Sequence, residues 1–597
     1  MLTAVRVAVE SPLLQLDREF DFLVPEHLSS RVKWGTRVKF GFGRSKSAYT
    51  GFVVELMDSS VFAKTPIDDV VGDFPVLTEE LYAFCCEVAK RQVVATGEIL
   101  QLAVPAHMPR VALQARETAD HARIKEVTRQ AWLTTVQERI DDFLVPSWAR
   151  GFVERARDLH NQGFSSILIA PEAADVQVLM RIADYLNVPV TVWDISKKST
   201  RYLNYHHSLD QIRIIIGTRS AIYAPVANLG LIAVVDDADD SYREVASPKT
   251  HLRDLALLRA GARTSLLFAA PYRSVEVQRL VEIGYFTELE TTAQIPRISF
   301  TNPGIRIDDA SYRLTKEALK HGTLLVLTPR KGSSAAAFCG NCGERLRCAC
   351  GGFIWESSKD KFICRLCSKP ILHCSTCRAT TFRRGRSGST RTTAEIGKMF
   401  ASAVIHEATQ EKKPELSNKT NQIVVATPGS APRLDAGYSG LLILDTDVWL
   451  SAQHIHAEQN ALRDWAEAIE LMNPEGRAVL AGLGDRLGKP FSLWQHVEIA
   501  TVAFRDAKEL SLPPAVRSVS IAGTPVQLDA AERAITAHKG RLIRSDGKLA
   551  VFVFDYSNGP AIAAELRAIA TAAKSVTRGA KTVRGFSVSM DNLEEIL

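Results

Sequence analysis

The sequence predicts a multidomain α/β protein, and three observations support that prediction. Its 597 residues are too many for a single hydrophobic core. From about residue 146 onward, apolar runs of strand length alternate with helix-prone stretches, a pattern typical of parallel, doubly wound sheets. Eight of the ten cysteines lie between residues 339 and 377, which indicates a separate module in the later part of the chain.

The first 105 residues are predicted to form a β-rich domain. Runs such as VRVAVE, TRVKFGF and TGFVVELM are separated by turn-forming Pro, Gly and Ser residues. A helix is predicted over TEELYAFCCEVAKRQV, where Cys85 and Cys86 have apolar neighbours and are interpreted as core residues. Residues 106–145 are charged and helix-prone, so we expect a helical connector there.

Two α/β lobes are predicted next, at residues 146–295 and 296–510. Their strands include SSILIAPE and LIAVVDD in the first lobe and LLVLTPR and LLILDTD in the second. Gly, Thr and Asp residues follow these strands at the carboxyl edge, where open α/β sheets bind ligands. The last segment, residues 511–597, has the order β-α-β-β-α-β, which predicts a small α+β domain.

Composition and charge argue against a membrane-spanning or secreted protein, but they leave nucleic-acid binding open. With 46% hydrophobic and 23% charged residues, the chain has the balance of an ordinary globular protein. The net charge of +6 is compatible with nucleic-acid binding but does not demand it. The apolar runs are too short to span a membrane, and the N-terminus lacks a secretion signal. We therefore expect a cytoplasmic protein without a membrane partner.

The cysteine module is predicted to bind metal. Three of its four cysteine pairs have the C-x-x-C spacing of zinc knuckles, and the intervening residues are mostly polar. The fourth pair, Cys348 and Cys350, has one residue between its members and requires a tighter turn. Two closed, structural Cys₄ sites, and so two Zn²⁺ ions per chain, are predicted within residues 337–380. The ligands are Cys339, Cys342, Cys348, Cys350, Cys364, Cys367, Cys374 and Cys377.

A basic segment follows the last of these cysteines. RATTFRRGRSGSTR contains Arg383, Arg384 and Arg386 among Ser and Thr residues, and it has no acidic residue. This composition suits contact with DNA phosphates. A solvated basic loop without a ligand is the alternative.

Two stretches resemble a known family. Residues 214–260, IIIGTRSAIYAPVANLGLIAVVDDADDSYREVASPKTHLRDLALLRA, and the eight-cysteine insertion together are similar to the primosomal replication-restart protein PriA, a superfamily-2 DNA helicase family. REFDFLVPE at 18–26, WGTRVKFGFG after it and ELSLPP at 509–514 extend the resemblance over most of the chain. It implies two RecA-like helicase-type lobes, a two-zinc insertion in the second lobe and an N-terminal domain that binds DNA 3′ ends.

The resemblance also implies particular site residues. Nested cysteine pairing would place Cys339, Cys342, Cys374 and Cys377 on one zinc, and Cys348, Cys350, Cys364 and Cys367 on the other. At the N-terminal DNA site, Phe20, Asp21 and Gly35 match the family motif, with Asp21 accepting a hydrogen bond from a terminal 3′-hydroxyl. The alternative is that Asp21 is only a turn residue at a strand start. The basic residue of the family's pocket has no evident counterpart, since IDDVV stands near its place at 67–71.

The motifs for ATP hydrolysis are altered at three places. No GxxxxGK[ST] loop exists, and Trp148 and Ala149 stand near where its Lys and Thr belong. The acidic motif is Asp236-Asp237-Ala238-Asp239, interpreted as vestigial, and no catalytic residue is assigned. The arginine-finger segment, expected near 466–476, has the sequence AEAIELMNPEG without arginine.

These features predict a DNA-binding replication-restart factor without helicase activity of its own. It would recognise stalled forks, nascent 3′ ends or single strands as a monomer at the nucleoid. It would recruit primosome proteins and promote loading of the replicative helicase. Two alternatives are an ATP-dependent 3′–5′ helicase with a degenerate nucleotide site and a zinc-dependent interaction scaffold.

Overall fold

The structure is a computed structural model, and it gives the positions of most of the chain. The described residues are 3–42, 48–109, 126–134, 137–289, 295–302, 306–330, 337–342, 346–350, 354–358, 361–364, 367–384, 389–409, 411, 414, 416, 420–450, 455–573, 575–578 and 581–592.

The N-terminal domain is a five-stranded antiparallel sheet followed by two helices. Its elements are β1 (Ala4–Val9), β2 (Glu19–Leu23), β3 (Arg37–Gly41), β4 (Ala48–Met57), β5 (Asp69–Val71), α1 (Glu79–Gln92) and α2 (Thr96–Ala103). The strand order is β2-β1-β4-β3-β5. Strand alternation buries Val5 and Val7 in the domain's own core, while Ala8 on the opposite face packs in a cluster shared with both helices. Burial on both faces explains why β1 is almost wholly apolar.

Lobe 1 is a seven-stranded, entirely parallel sheet with helices on both faces. Its elements, with a small hairpin formed by β7 and β8, are β6 (Arg129–Leu133), β7 (Glu138–Ile140), β8 (Phe143–Val145), α3 (Ser147–His160), β9 (Ser165–Ile169), α4 (Ala173–Tyr185), β10 (Thr191–Trp193), α5 (Lys198–Ser208), β11 (Ile214–Gly217), β12 (Leu229–Val235), α6 (Leu252–Ala260), β13 (Ser265–Ala270), α7 (Val275–Glu282) and β14 (Thr287–Leu289). The strand order is β10-β11-β9-β12-β13-β6-β14.

The expected helical connector differs from the structure. Its described parts, residues 106–109, 126–134 and 137–145, contain strands and no helix. β6 lies between β13 and β14 and pairs in parallel with both, so it belongs to the lobe 1 sheet. Its pairing partner in β13 is more than 130 residues away, and this long-range pairing overrides the helical tendency of the short, polar-flanked run RQAWL.

Lobe 2 has a six-stranded parallel sheet in the order β15-β24-β23-β16-β22-β21, interrupted in sequence by the cysteine module. The elements of the lobe and the module are β15 (Arg297–Phe300), α8 (Asp309–His321), β16 (Thr323–Leu327), β17 (Ala337–Cys339), β18 (Ile354–Ser358), β19 (Lys361–Cys364), β20 (Phe382–Arg384), α9 (Ser389–Met399), β21 (Val404–Ala408), β22 (Gln422–Ala426), β23 (Tyr438–Ile443), α10 (Thr446–Trp449), α11 (Ala457–Glu470), β24 (Met472–Leu480), α12 (Asp485–Ser492) and α13 (His496–Leu510). In the module, β17 pairs with β20 and β18 pairs with β19, both antiparallel.

The C-terminal domain is an α+β sandwich with the strand order β26-β27-β25-β30. Its elements are β25 (Arg517–Ala522), α14 (Pro525–Ala537), β26 (Arg541–Ser545), β27 (Leu549–Phe554), α15 (Gly559–Ala572), β28 (Ser575–Arg578), β29 (Lys581–Arg584) and β30 (Ser587–Met590). Asp591 receives hydrogen bonds from Arg517 of its own domain and from Arg91 at the end of α1. The first and last domains of the chain are therefore in direct contact.

Across the described residues, the structure has no helix that is both long enough and apolar enough to cross a membrane.

Candidate functional site

The two lobes meet at the carboxyl end of β12, where the sequence placed the altered acidic motif. Asp236 and Asp237 follow this strand directly, and both side chains are buried. α11 of lobe 2 lies against them and is itself buried over most of its surface. In an open cleft between the lobes, a nucleotide could reach the end of this strand. The contacts between β12 and α11 therefore determine whether the cleft can bind a nucleotide.

Arg463 of α11 fills the space beside the acidic motif. Its Nε donates to Asp236 Oδ2 at 2.7 Å, and a second nitrogen donates to Asp239. Within α11, the same guanidinium lies 2.9 Å from Glu467 and 3.5 Å from Asp464. One buried cation from lobe 2 therefore faces four carboxylates, two of them from lobe 1. We call these five residues the interlobe cluster.

Asp237 has a separate and local set of partners. Its Oδ2 accepts from Arg253 at 2.9 Å and from Ser274 Oγ at 2.8 Å. Arg253 also binds Glu276 at 3.0 Å. Since these partners all lie in lobe 1, Asp237 holds the start of α7 against the end of β12.

Trp148 lies in the first turn of α3. A phosphate-binding loop would be expected near this position, but the sequence does not contain one. Its side chain is buried, and its Nε1 lies 3.5 Å from Glu470 Oε2 of α11. Glu470 in turn lies 3.9 Å from Arg433, which pairs with Asp175 of α4 at 2.9 Å. An aromatic ring and a second chain of ion pairs thus join the two lobes beside the interlobe cluster.

Burial changes the protonation of these carboxyl groups. It raises the pKa of Asp464 to about 6 and the pKa of Glu467 to about 7, against the opposing effect of Arg463. It also raises the pKa of Glu470 to about 7, although Arg433 and Trp148 oppose the shift. The pKa of Asp236 is raised for the same reason. The buried carboxyl groups exceed the guanidinium charge beside them, so some retain protons at neutral pH.

Arg463 was not predicted, because the arginine-finger segment was expected at residues 466–476, which contain no arginine. The arginine that reaches the acidic motif lies one helical turn earlier, on the same face of α11 as Glu467 and Glu470. The i, i+4, i+7 spacing of Arg463, Glu467 and Glu470 could have predicted that they share one face of the helix. The pairing of Arg463 with Asp236, more than 200 residues away, had no local signal.

The outer cysteine set converges in the structure. The Sγ atoms of Cys339 and Cys377 lie 3.5 Å apart, and those of Cys342 and Cys374 lie 3.8 Å apart. Four sulfurs at about 2.3 Å from a tetrahedral Zn²⁺ are separated by about 3.8 Å, and these two pairs have nearly that spacing. The backbone amide of Ala379 is the largest cause that lowers the pKa of Cys377 to about 6, which favours the thiolate form.

The inner cysteine set converges in the same way. Cys348 and Cys367 are 3.6 Å apart at Sγ, and Cys350 and Cys364 are 3.5 Å apart. Cys350 therefore lies with the other three sulfurs, although the turn between it and Cys348 is one residue short. In both sets the ligand atoms of all four cysteines lie within 4.8 Å of one another, so each set could hold a metal ion.

Among its described residues, the module has a small apolar core of its own. Leu346, Ile354 and Phe362 are buried beside three of the cysteines. Such a core is too small to hold the module together without additional cross-links, and bound metal supplies cross-links of this kind.

At the DNA site predicted in the N-terminal domain, both oxygens of Asp21 accept hydrogen bonds. Arg6 Nε donates to Oδ1 at 2.9 Å, and Ser60 Oγ donates to Oδ2 at 2.5 Å. Burial alone would raise the pKa of Asp21, but the bonds from Arg6 and Ser60 outweigh it and lower the pKa. Asp21 is therefore an ionised acceptor, held in a fixed orientation.

Arg6 places a cation beside Asp21, a contact that the sequence prediction did not include. It also pairs with Glu55 at 2.5 Å. The signal was available, because antiparallel pairing of β1 with β2 places Arg6 directly opposite Asp21. Residues 67–71, where the family pattern places a basic residue, lie elsewhere in the sequence, and the cation beside Asp21 comes from the neighbouring strand β1.

The other predicted DNA-site residues have different positions. Phe20 is partly buried and packs edge-to-face on Phe42, with their ring centroids 4.8 Å apart. Gly35 is buried with φ of +76°, and an added Cβ would lie 2.1 Å from the Leu77 carbonyl oxygen. The chain's own backbone thus requires glycine at this position. Among the basic residues, Arg383 and Arg384 lie on β20, and Arg386 is outside the described residues.

Comparison with known proteins gives a consistent result. The family model described as "3'DNA-binding domain (3'BD)" of PriA matches residues 6–105. The "Probable replication restart protein PriA" of Mycobacterium tuberculosis is 31% identical over 567 residues, covering 85% of this chain and 85% of that protein. The protein with the same name in Mycobacterium leprae is 30% identical, covering 85% of this chain and 86% of that protein.

A solved structure, "Structure of RecG bound to three-way DNA junction", matches with a TM-score of 0.32 and 11% identity, over 57% of this chain and 40% of that chain. This likeness is too low to support an inference.

Proposed function

The chain belongs to the family of the replication restart protein PriA, and we propose that it is a DNA-binding restart factor that hydrolyses no ATP. In this role it recognises forks with a nascent 3′ end and prepares them for loading of the replicative helicase. The observation that supports the proposal most strongly is the interlobe cluster, because it occupies the strand end that a nucleotide would need.

The chemistry of the cleft is unsuited to a triphosphate. Phosphate binding in helicase-type lobes uses a glycine-rich loop and a lysine, and buried Trp148 stands near that place. The arginine that could stabilise phosphoryl charge, Arg463, is engaged by carboxylates of both lobes. Opening the cleft would separate a buried guanidinium from its partners, which is costly.

DNA-end recognition is assigned to the N-terminal domain. Asp21 is an ionised acceptor, and a 3′-hydroxyl is a hydrogen-bond donor that suits it. A 3′-phosphate would be repelled by the same charge. Arg6 keeps Asp21 ionised and oriented, so it is a positioning residue for this contact.

We assign zinc to both cysteine sets. Four thiolates with tetrahedral spacing suit Zn²⁺, and a set saturated by protein ligands is structural rather than catalytic. The basic segment with Arg383, Arg384 and Arg386 follows the module directly in sequence. We propose that the module and this segment contact DNA phosphates and primosome proteins.

The proposal is tested by binding of forked DNA without any nucleotide. Forks whose nascent strand ends in a 3′-hydroxyl are expected to bind about tenfold or more tightly than forks ending in a 3′-phosphate, since a hydrogen bond to a charged group is involved. Asp21→Asn should remove most of this difference, while Asp69→Asn, an exposed carboxylate of β5, should retain it. Equal affinity of the wild-type chain for both ends would refute end recognition.

A further inference from the structure

The turn that follows β4 is fastened to Asp21 by one side chain. Ser60 Oγ donates to Asp21 Oδ2 at 2.5 Å and accepts from the Phe62 backbone N–H at 3.2 Å. A single hydroxyl therefore fixes both the carboxylate and the backbone of the turn. With Ser60 above it, the Asp21 side chain is only 6% exposed.

This turn presents apolar side chains to solvent. Phe62 is 77% exposed and Val61 is 86% exposed, and Phe62 is the most exposed aromatic side chain within the described residues. Burial of such a ring against a ligand is favourable, because it removes apolar surface from water. A ring in this position, on a turn that is attached to the end-recognition carboxylate, is placed to contact whatever binds that carboxylate.

Ser60 and a terminal sugar offer Asp21 the same chemical group. Each has one hydroxyl that can donate a single hydrogen bond to an ionised carboxylate. Arg6 holds the other oxygen of Asp21 at 2.9 Å and need not move when the donor at Oδ2 is exchanged. Such an exchange preserves the number of hydrogen bonds to Asp21, so its net energetic cost is small.

We propose that Ser60 occupies the acceptor of Asp21 in the free protein and that the 3′-terminal hydroxyl of a DNA strand replaces it. Release of Ser60 frees the turn, and the ring of Phe62 then stacks on the terminal base. Stacking on an aromatic ring accepts any base, because every base has a π-face, so recognition is independent of sequence. This inference rests on the proposed contact between Asp21 and the 3′ end.

The experiment uses the full-length chain and a single strand with 2-aminopurine as its 3′-terminal base. Ser60→Ala removes the internal competitor, so affinity for the 3′-hydroxyl strand should rise about two- to tenfold, and affinity for a 3′-phosphate strand should not change. Phe62→Ala should weaken binding of the 3′-hydroxyl strand about tenfold or more and abolish the fluorescence quenching caused by stacking. Val61→Ala is the matched control, because it lies on the same turn with similar exposure, and it should change neither signal.

The outcomes separate this inference from the proposed function. If the wild-type chain does not distinguish a 3′-hydroxyl from a 3′-phosphate, end recognition by Asp21 fails, and this inference fails with it. If the wild-type chain discriminates but Ser60→Ala weakens binding, Ser60 supports Asp21 and the competitor role is wrong. Unchanged quenching in Phe62→Ala would likewise refute the stacking role while end recognition stands.

Discussion

The cysteine module and the interlobe cluster both gather ionisable side chains, yet they have opposite consequences. In the module, sulfur atoms from distant turns approach each other to 3.5–3.8 Å, the spacing that a metal ion requires. In the interlobe cluster, carboxylates surround a guanidinium that the chain supplies itself. The first arrangement could hold a metal ion, and the second is an internal ion-pair contact between the lobes.

The carboxylates of the interlobe cluster show that close ligand atoms alone do not identify a metal site. Asp236, Asp239 and Glu467 also have the geometry of a metal group when their oxygens alone are considered. Arg463 changes that interpretation, since its positive charge stands where a cation would bind. A group of carboxylates can therefore be interpreted as a metal site only after the cations beside it have been identified.

The largest expected effect is loss of metal from the module. Chelation should release about two zinc ions per chain and unfold the module, because metal binding supplies its folding free energy. Cys364→Ser should lower the zinc content from about two ions to about one, measured by elemental analysis of the purified protein. Cys86→Ser, outside both cysteine sets, should keep both ions. Full zinc content in Cys364→Ser would contradict the assignment.

A smaller effect is expected when the interlobe cluster is broken. Arg463→Ala leaves buried carboxyl groups of both lobes without their cation, and it should destabilise the lobes by about 3–5 kcal/mol. Chemical denaturation followed by tryptophan fluorescence measures this change, since Trp148 and Trp465 are buried in or near the interface. Arg486→Ala is the control, because its pair with Glu458 is exposed and worth at most about 1 kcal/mol. Equal effects of the two substitutions would show that the cluster does not hold the lobes together.

The smallest expected effect is on the pH dependence of stability. The pKa of Glu470 in the folded chain is about 7, and an unfolded glutamate has a pKa of about 4.3. Between these values the folded state binds more protons, so this group's stabilisation is complete below about pH 4.3 and is lost as pH rises through 7. The lobes should be more stable at pH 6 than at pH 8, and Glu470→Gln should reduce that difference. The exposed Glu475→Gln serves as control, and an unchanged pH profile in Glu470→Gln would refute the assignment.

The sequence predicted the module better than the cleft for a physical reason. C-x-x-C spacing is local, so it marks ligands without knowledge of the fold, and family resemblance supplied the pairing that the structure also has. The contacts of Arg463 with Asp236 join two lobes across more than 200 residues, and no local pattern specifies them. β6 was not predicted for the same reason, because it is a strand through its pairing with β13, which is distant in sequence. Arg6 could have been predicted, since Asp21 lies opposite it on an adjacent strand.

The most direct test of the central claim is ATP hydrolysis by the zinc-loaded chain in the presence of forked DNA. The interlobe cluster predicts phosphate release at the background rate, with or without DNA, while the same preparation binds forks. DNA-stimulated turnover that Asp236→Asn abolishes and the exposed Asp240→Asn retains would contradict this account. It would show that the lobes open and that the acidic motif still functions as a nucleotide site.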